Sequence, residues 1–369
     1  MALAHGTTIN AGGNLSLNAG NDIHLQGANV HAGNDLSLVV GNDITIESAQ
    51  SYSSSGSREE EWNAGIGVGA TAGLGGWSAG IQIEGGYSRS NSNSWGIQQE
   101  NSYISAGNSI TIKSGNDTTL AGALVSAPDI TLDVGNNLTV QSRQDTGHSG
   151  GSSARGGGSL TIGAGVAGSF YAGGGNSDSD VAWVTEQTGI YADKKLDIYV
   201  ENHTQLDGSV LNSSTGDLTL DTGTLGFTTI KDYDKGDAFD MTVGGSAGGL
   251  QENAWSWNTA QNGGGSGNSS NQQSKKSDQK TGLPNGPWVG GSVSGHDREQ
   301  DTNATVGEGT ITIRNRDQQV QDVATLNRDL SQAQVITKDE SYGVEFYASN
   351  SGLNAITNPA QYYKDVTEG

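Results

Sequence analysis

Short apolar triplets separated by glycine and asparagine recur along the chain. The hexad Gly-Asn-Asp followed by apolar–polar–apolar begins at Gly20, Gly33 and Gly41, and related hexads begin at Gly107 and Gly135. Because side chains alternate along a strand, the two apolar residues of each hexad point to the same side. Glycine and asparagine tolerate the backbone conformations that sharp turns require. Each hexad therefore predicts a corner followed by a short strand with one buried face.

The spacing of these triplets predicts a solenoid. The step from Ile23 to Leu36 is 13 residues and the step from Leu36 to Ile44 is 8, which makes a unit of 21 residues; from Ile110 to Ile130 the unit is 20 residues. The longer step contains a third short segment, residues 29–31. Three strands and three turns per unit describe one coil, which deposits one layer of aliphatic side chains. We therefore expect an all-β fold, a parallel β-helix, and a right-handed one because parallel crossovers strongly prefer that hand.

Three insertions interrupt the repeat, at about residues 48–100, 142–184 and 231–305. In the first, large apolar residues alternate with small polar ones on both sides of Gly75-Gly76, which is the pattern of a long two-stranded hairpin. The other two insertions repeat the pattern around residues 160–166 and 241–243. We expect a β-helix over residues 1–316 from which three β-hairpins project.

The apolar side of the first hairpin is the candidate contact site. Its alternation is that of outer-membrane β-strands, which span with about 9–11 residues and carry aromatic residues near the interfaces. Soluble antiparallel sheets alternate in the same way, and the apolar side would then pack on the flank of the solenoid or on a neighbouring hairpin. The candidate membrane or partner contacts are Trp62, Ile66, Val68, Leu74, Trp77, Ile81, Ile83, Tyr87 and Trp95.

After the last triplet the pattern changes to a helical one. Val323, Leu326, Leu330 and Ala333 lie at helical spacing within residues 319–334. We expect a short helical segment here, and we interpret residues 317–369 as a helical linker and the start of a further region.

Composition narrows the classes of partner. The 369 residues include 58 glycines but only 4 prolines, without a Gly-X-Y period, which excludes collagen. The formal net charge of −22 opposes binding to nucleic acid, because a polyanion releases no counterions from phosphates. The chain has no cysteine, and no stretch approaches the roughly 20 apolar residues of a membrane-spanning helix. The first residues lack the basic and apolar regions of a signal peptide, so a secreted parent would carry its export signal upstream.

The Gly-Asn-Asp hexads, the Gly/aliphatic hairpins and residues 309–316 and 321–329 resemble the haemagglutinin-repeat region of filamentous haemagglutinins and contact-dependent growth-inhibition effectors. These are exoproteins of Gram-negative two-partner secretion systems, and the resemblance covers nearly the whole chain. It implies an extracellular or cell-surface location and a part in adhesion or toxin delivery. The partners it implies are the target-cell outer membrane or a surface receptor, and neighbouring domains of the parent exoprotein.

The acidic residues and histidines predict no active site. Asp22, Asp35, Asp43 and Asp117 recur at corners of the repeat, which favours a structural role, and the six histidines lack the spacing of metal ligands. We expect no enzyme activity, no metal and no cofactor. The alternative is a glycan-binding or glycan-processing β-helix, for which acidic residues must converge in a groove on one coil face.

The ends of a solenoid expose unpaired strand edges. We expect neighbouring domains or the carboxy-terminal tail to cap them, and an uncapped fragment could self-associate end to end.

Overall fold

The computed structural model of the chain describes residues 2–4, 6–73, 76–163, 166–248 and 286–349. In these residues the strands form two sheets, one of 16 strands and one of 7. The strands are β1 (Thr8–Ala11), β2 (Leu15–Ala19), β3 (Ile23–Gln26), β4 (Asn29–Ala32), β5 (Asp35–Val40), β6 (Ile44–Glu47), β7 (Ala49–Gly73), β8 (Gly76–Glu100), β9 (Ser102–Ala106), β10 (Ser109–Ser114), β11 (Thr118–Ala121), β12 (Ala123–Val134), β13 (Asn137–Gln141), β14 (Asp145–Ile162), β15 (Val166–Trp183), β16 (Gly189–Asp207), β17 (Val210–Ser213), β18 (Asp217–Thr228), β19 (Ile230–Gly248), β20 (Gly286–Thr302), β21 (Thr305–Val306), β22 (Thr310–Ile313) and β23 (Gln334–Ser349).

The larger sheet is a curled parallel sheet made of three ladders, which is the β-helix that the hexads predict. One ladder runs β2-β5-β10-β12-β16-β18-β22, and its register pairs Leu36 with Ile110 and Ile110 with Ile130. The long strands β12, β16 and β18 turn corners and serve more than one ladder. Equivalent residues of successive coils therefore lie directly above one another.

The apolar residues of the hexads form the core of the solenoid. Ile44, Ile110 and Leu138 are buried, and Ile23, in the first coil, is half-buried. Full burial of one such side chain contributes about 1.5–3 kcal/mol, so the stack of layers supplies most of the driving force for folding. The prism predicted from the triplets is confirmed.

The corners carry a ladder of aspartate hydrogen bonds. Asp22 Oδ1 accepts from the backbone N–H of Asp43, at 3.1 Å, and from Asn42 Nδ2, at 2.8 Å. Asp43 Oδ1 in turn accepts from the N–H of Asp117 at 3.0 Å and from Asn116 Nδ2 at 2.7 Å. Each carboxylate therefore binds donors of the next coil, and these donors offset the repulsion between stacked acids.

All three hairpins leave the solenoid at one corner. In alternate coils this corner is closed by a glycine with positive φ: Gly27 (+54°), Gly122 (+71°) and Gly208 (+52°). In the coils between, the chain continues at the same corner into the hairpins β7–β8, β14–β15 and β19–β20. Two coils rise by about 9.6 Å, which equals the width of two hydrogen-bonded strands. Successive hairpins therefore lie edge to edge in one antiparallel sheet.

That sheet has the strand order β7-β8-β14-β15-β19-β20-β23. It continues without a break through the hairpins: Ile83 of β8 pairs with Leu160 of β14, and Phe239 of β19 lies opposite Asn176 of β15 and Val293 of β20. The seventh strand, β23, comes from the region that the sequence assigns to the start of a following unit. Residues 350–369 lie outside the described residues.

The helical segment is shorter than its spacing predicts. Residues 316–334 contain three 3₁₀ turns, at Arg316–Gln318, Val323–Thr325 and Leu330–Gln332, and no continuous helix. Asp322 and Asp329 accept hydrogen bonds from the backbone two residues on, which competes with helical pairing. Hydrogen bonds between this segment and β18 also hold it partly extended.

Residues 319–333 close the carboxy-terminal end of the solenoid. The side-chain amide of Gln319 accepts from the backbone N–H of Leu225 at 2.8 Å and donates to its carbonyl at 2.7 Å. Gln321 makes the same two bonds with Phe227, at 2.8 and 2.9 Å. The two side-chain amides thus pair with the backbone N–H and C=O groups of β18, which a further strand would otherwise do. Leu326, 4% exposed, then packs into the core cluster.

Candidate functional site

The predicted contact residues lie on one face of the first hairpin. The antiparallel register pairs Trp62 with Tyr87, Ile66 with Ile83, and Val68 with Ile81, so their side chains share that face. Trp62, Ile66 and Val68 are 78%, 81% and 86% exposed, and Ile81 and Ile83 are also exposed. The rings of Trp62 and half-buried Tyr87 are in contact, with centroids 4.7 Å apart.

The remaining predicted contacts are distributed differently. Trp95 is exposed on the same face but lies nearer the solenoid, opposite His148 of β14. Leu74 lies outside the described residues. The backbone of Trp77 pairs with Ala72, and the position of its side chain also lies outside what the structure describes.

The same face continues across the other five strands. Leu160 and Ile162 of β14 lie opposite Ile83 and Ile81, and Val243 of β19 lies opposite Val289 of β20. The exposed large apolar residues that extend the face beyond the first hairpin are Leu160, Ile162, Phe170, Phe239, Met241, Val243, Val344 and Phe346. Together with Trp62, Ile66, Val68, Ile81, Ile83 and Tyr87 they define the apolar face. The alternation in the second and third insertions predicts that these residues lie on the apolar side of their own hairpins. They form one face with the first hairpin only because all three hairpins leave the solenoid at the same corner.

The apolar face is broad for a surface left open to solvent. From Trp62 to Val68 it extends about 20 Å along the strands, and seven strands spaced at about 4.8 Å make it about 29 Å wide. The projected area of roughly 600 Å² is at the upper limit of the largest apolar patch on a typical monomer, and such patches mark contacts with a partner or a membrane. The alternative drawn from the sequence is that this face packs on the solenoid or on a neighbouring hairpin. In the part of the chain that the structure describes, its large apolar side chains are exposed instead.

Glycines on adjacent strands make room for the large side chains of the apolar face. Phe170 lies between Gly158 and Gly245, and Met241 lies between Gly174 and Gly291. A Cβ added to Gly291 would lie 2.6 Å from the ring of Phe346, which shows that this ring covers the glycine. The high glycine content of the hairpins therefore allows aromatic rings to lie flat against the sheet.

Polar residues occupy the half of this face that is nearer the solenoid. Lys338 Nζ lies 2.7 Å from Asp297 Oδ2, and Lys235 Nζ lies 3.3 Å from Asp297 Oδ1 and 2.6 Å from Glu299 Oε1. The hydrogen bond from Lys338, supported by that from Lys235, lowers the pKa of Asp297 below its usual value. Ion pairs thus link β19, β20 and β23 below the apolar face.

The corner carboxylates do not converge as catalytic pairs would. Asp22, Asp35 and Asp43 are each hydrogen-bonded to the following coil. One pocket of about 370 Å³ lies beside the cap, and its lining includes no acidic residue: Gln187, Tyr191, Val210, Asn212, Leu330, Ser331, Ala333 and Gln334. Among the described residues no helix has the length and hydropathy needed to cross a lipid bilayer.

Comparisons with known proteins agree with this architecture. Residues 3–157 match the hemagglutinin repeat family. The chain is 37% identical over 337 residues to a tRNA nuclease CdiA of Escherichia coli (strain NC101). This aligned region covers 89% of this chain and 9% of that protein. It is 35% identical over 335 residues to a 16S rRNA endonuclease CdiA of Enterobacter cloacae, with 89% of this chain and 9% of that protein covered.

A deoxyribonuclease CdiA of Yersinia pseudotuberculosis is 32% identical over 337 residues, which is 90% of this chain and 27% of that protein. The chain therefore spans about a tenth to a quarter of the length of these relatives. No solved structure matches it. The family match over residues 3–157 and the likeness to CdiA proteins over most of the chain confirm the resemblance that the hexads and hairpins carry: residues 3–157 match the hemagglutinin repeat, and homologues over most of the chain are CdiA proteins of contact-dependent growth inhibition.

Proposed function

We propose that this chain is a non-catalytic shaft segment of a secreted adhesin or toxin-delivery exoprotein at the surface of a Gram-negative bacterium. We also propose that the apolar face engages the outer membrane of the target cell during delivery. The observation that carries the second proposal is the exposure of large apolar side chains on six of the seven strands of the hairpin sheet, with half-buried Val289 and Val293 of β20 on the same face. The nuclease activities in the names of the relatives belong to proteins of which this chain matches only a small part.

The chemistry of the apolar face suits the interior of a lipid layer. Its aliphatic and aromatic side chains lie on strands whose backbone groups are paired with neighbouring strands, so their burial leaves few polar groups without partners. Burial of apolar surface contributes about 25 cal/mol per Å², so roughly 600 Å² would stabilise the bound state by about 15 kcal/mol before the costs of ordering and association.

Charge contributes nothing to this association. The net charge of −22 opposes attraction to an anionic lipid surface, and no side chain of the apolar face carries a charge. Membrane binding through this face should therefore persist at high salt, whereas binding through a basic patch would weaken.

Liposome flotation tests the membrane proposal. We expect the chain to float with phosphatidylethanolamine/phosphatidylglycerol vesicles in both roughly 0.1 and roughly 0.5 M NaCl. In the variant Ile66→Asp/Ile81→Asp, the fraction of protein that floats with the vesicles should fall at least tenfold. A charge within the hydrocarbon costs a few kcal/mol, which is more than a tenfold change requires. The matched control is Asn63→Asp/Gln82→Asp, which places the same two charges on the opposite face of the first hairpin.

Equal recovery of the wild type and the Ile66→Asp/Ile81→Asp variant with the lipid would contradict membrane engagement by the apolar face. In the parent exoprotein the same pair of substitutions should lower toxin delivery and leave attachment to the target cell intact. If attachment is lost and delivery per attached cell is unchanged, the face is a receptor contact instead.

A further inference from the structure

His148 lies between two aspartates on the polar half of the hairpin sheet. Its Nδ1 is 2.9 Å from Asp180 Oδ1, and its Nε2 is 3.6 Å from Asp178 Oδ1. Asp180 is the residue opposite His148 in the β14–β15 register, and Asp178 is opposite Gly150, so all of these residues share one face. One donor atom from each of His148, Asp178 and Asp180 lies within 4.8 Å of the others.

Gly150 leaves an open space among these donors. A Cβ built on Gly150 would lie 3.4 Å from His148 Nε2 and 3.6 Å from Asp178 Oδ1. It would also lie 3.2 Å from Oδ1 of Asn93, which belongs to β8 of the first hairpin and pairs with Gly150. Three donor atoms from three strands therefore surround the position at which any other residue would place its side chain.

We propose that this space binds one divalent transition-metal ion of the zinc class, held by His148 Nε2, Asp178 Oδ1 and Asn93 Oδ1. Zinc–ligand bonds of about 2.0–2.1 Å place neighbouring tetrahedral ligands about 3.3 Å apart, which is near the Nε2–Oδ1 distance in this structure. An imidazole nitrogen beside carboxylate oxygen selects zinc-like ions over calcium and magnesium. Water completes the coordination.

Asp180 is a positioning residue for this site. A histidine that binds a metal usually donates its other ring N–H to a carboxylate, which fixes the tautomer and the orientation of the ring. Asp180 Oδ1 is in that position relative to Nδ1. The metal would join β8 of the first hairpin to β14 and β15 of the second, and so stabilise the sheet between the solenoid and the apolar face.

Calorimetric titration of the whole chain with Zn²⁺ tests the site. We expect one zinc per chain, and at least a tenfold loss of affinity in each of the variants His148→Ala and Asp178→Ala. The matched control is His296→Ala, because His296 on β20 of the same sheet also has its Nε2 3.0 Å from an aspartate, Asp234, yet belongs to no three-donor group among the residues that the structure describes. That variant should bind zinc as the wild type does.

Gly150→Ala separates the metal site from a plain ion pair. The alanine fills the space and leaves the contacts of His148 with both aspartates in place, so zinc affinity should fall at least tenfold while the far-ultraviolet circular dichroism is unchanged. The absorption of bound Co²⁺ in the visible region provides a second readout, with a histidine-dependent band lost in His148→Ala. Absence of zinc binding to the wild type, or binding that survives both His148→Ala and Gly150→Ala, would overturn the proposal.

Discussion

At the scale of single residues, Asp35 shows how a corner binds two coils together. Its Oδ1 accepts from Asn108 Nδ2 and from Ser109 Oγ, both at 2.7 Å and both in the following coil. These bonds, first that from Ser109 and then that from Asn108, lower the pKa of Asp35 below its usual value. Because the folded chain holds the carboxylate charged, this residue stabilises the fold above its usual pKa. That contribution is lost as the pH falls through the lowered pKa.

The substitution Ser109→Ala should move the pKa of Asp35 back towards its usual value, because it removes the stronger donor. The acid-induced loss of stability should then begin at a higher pH. Titration of the Asp35 Cγ chemical shift by NMR measures the change. The control is Ser105→Ala, because Ser105 lies in the same coil as Ser109 and its hydroxyl is hydrogen-bonded to His31. An unchanged titration midpoint in Ser109→Ala would show that the hydroxyl does not hold the carboxylate.

Residues of the repeat and of the apolar side of the first hairpin could be placed from the sequence, whereas the polar residues that meet across the second hairpin could not. The hexads predict that Ile44 and Ile110 point inward and that Asp43 lies at a corner, because these follow from local alternation. The meeting of His148 with Asp178 depends on the register between strands 30 residues apart, which no short spacing reveals. The sequence prediction of no metal ligands considered spacing alone.

At the scale of elements, one buried carboxylate fastens the bases of two hairpins. Asp232, 2% exposed, accepts from the N–H of Val184 at 3.1 Å and from Gln144 Nε2 at 2.8 Å. Its other oxygen accepts from Gln300 Nε2 at 3.0 Å and from Thr302 Oγ1 at 2.5 Å. Asp232 lies on β19, and its donors come from β20, the other arm of the third hairpin, and from the base of the second hairpin. The position of each hairpin therefore depends on the other.

Asp232→Ala should lower the free energy of unfolding by about 2–4 kcal/mol, because it leaves several buried donors without an acceptor. Amide hydrogen exchange should increase first at the bases of β15, β19 and β20. Asp234→Ala, two residues further on the same strand and half-exposed, should cost less than about 1 kcal/mol. Equal effects of the two substitutions on denaturant unfolding would contradict the role of Asp232 as a fastening point.

The segment 319–334 shows where element prediction reached its limit. Its apolar spacing is helical, yet Gln319 and Gln321 bind the edge of β18 and hold the chain partly extended. Apolar residues at a period of 3.6 indicate which side chains pack against another part of the protein. Here they pack against the end of the solenoid, and the backbone that carries them is not a continuous helix. Leu326 does reach the core as the spacing indicates, whereas Leu330 stays exposed.

At the scale of the whole molecule, the two ends of the solenoid differ. The carboxy-terminal end is closed by residues 319–333, with Leu326 in the core. At the other end the inward residues of the first coil, among them Leu15, Leu17 and Ile23, are only half-buried. Among the described residues, the strand edges and the apolar layer are therefore open at one end only. End-to-end association of the first coils would be symmetric and would stop at a dimer, because the capped end offers no second surface.

We predict that light scattering coupled to size exclusion shows a concentration-dependent dimer and no longer assemblies. Leu17→Lys, which places a charge in the open layer, should abolish the dimer, because pairing of the two ends would bury it without a partner. Ser16→Lys is the matched control, since its side chain points outward from the same strand. The dimer should also be insensitive to Ile66→Asp/Ile81→Asp, which alters only the apolar face. A dimer that survives Leu17→Lys and dissociates in the Ile66→Asp/Ile81→Asp variant would place the association on the hairpin sheet instead of the solenoid end. Filaments in the wild type would contradict the closure of the carboxy-terminal end.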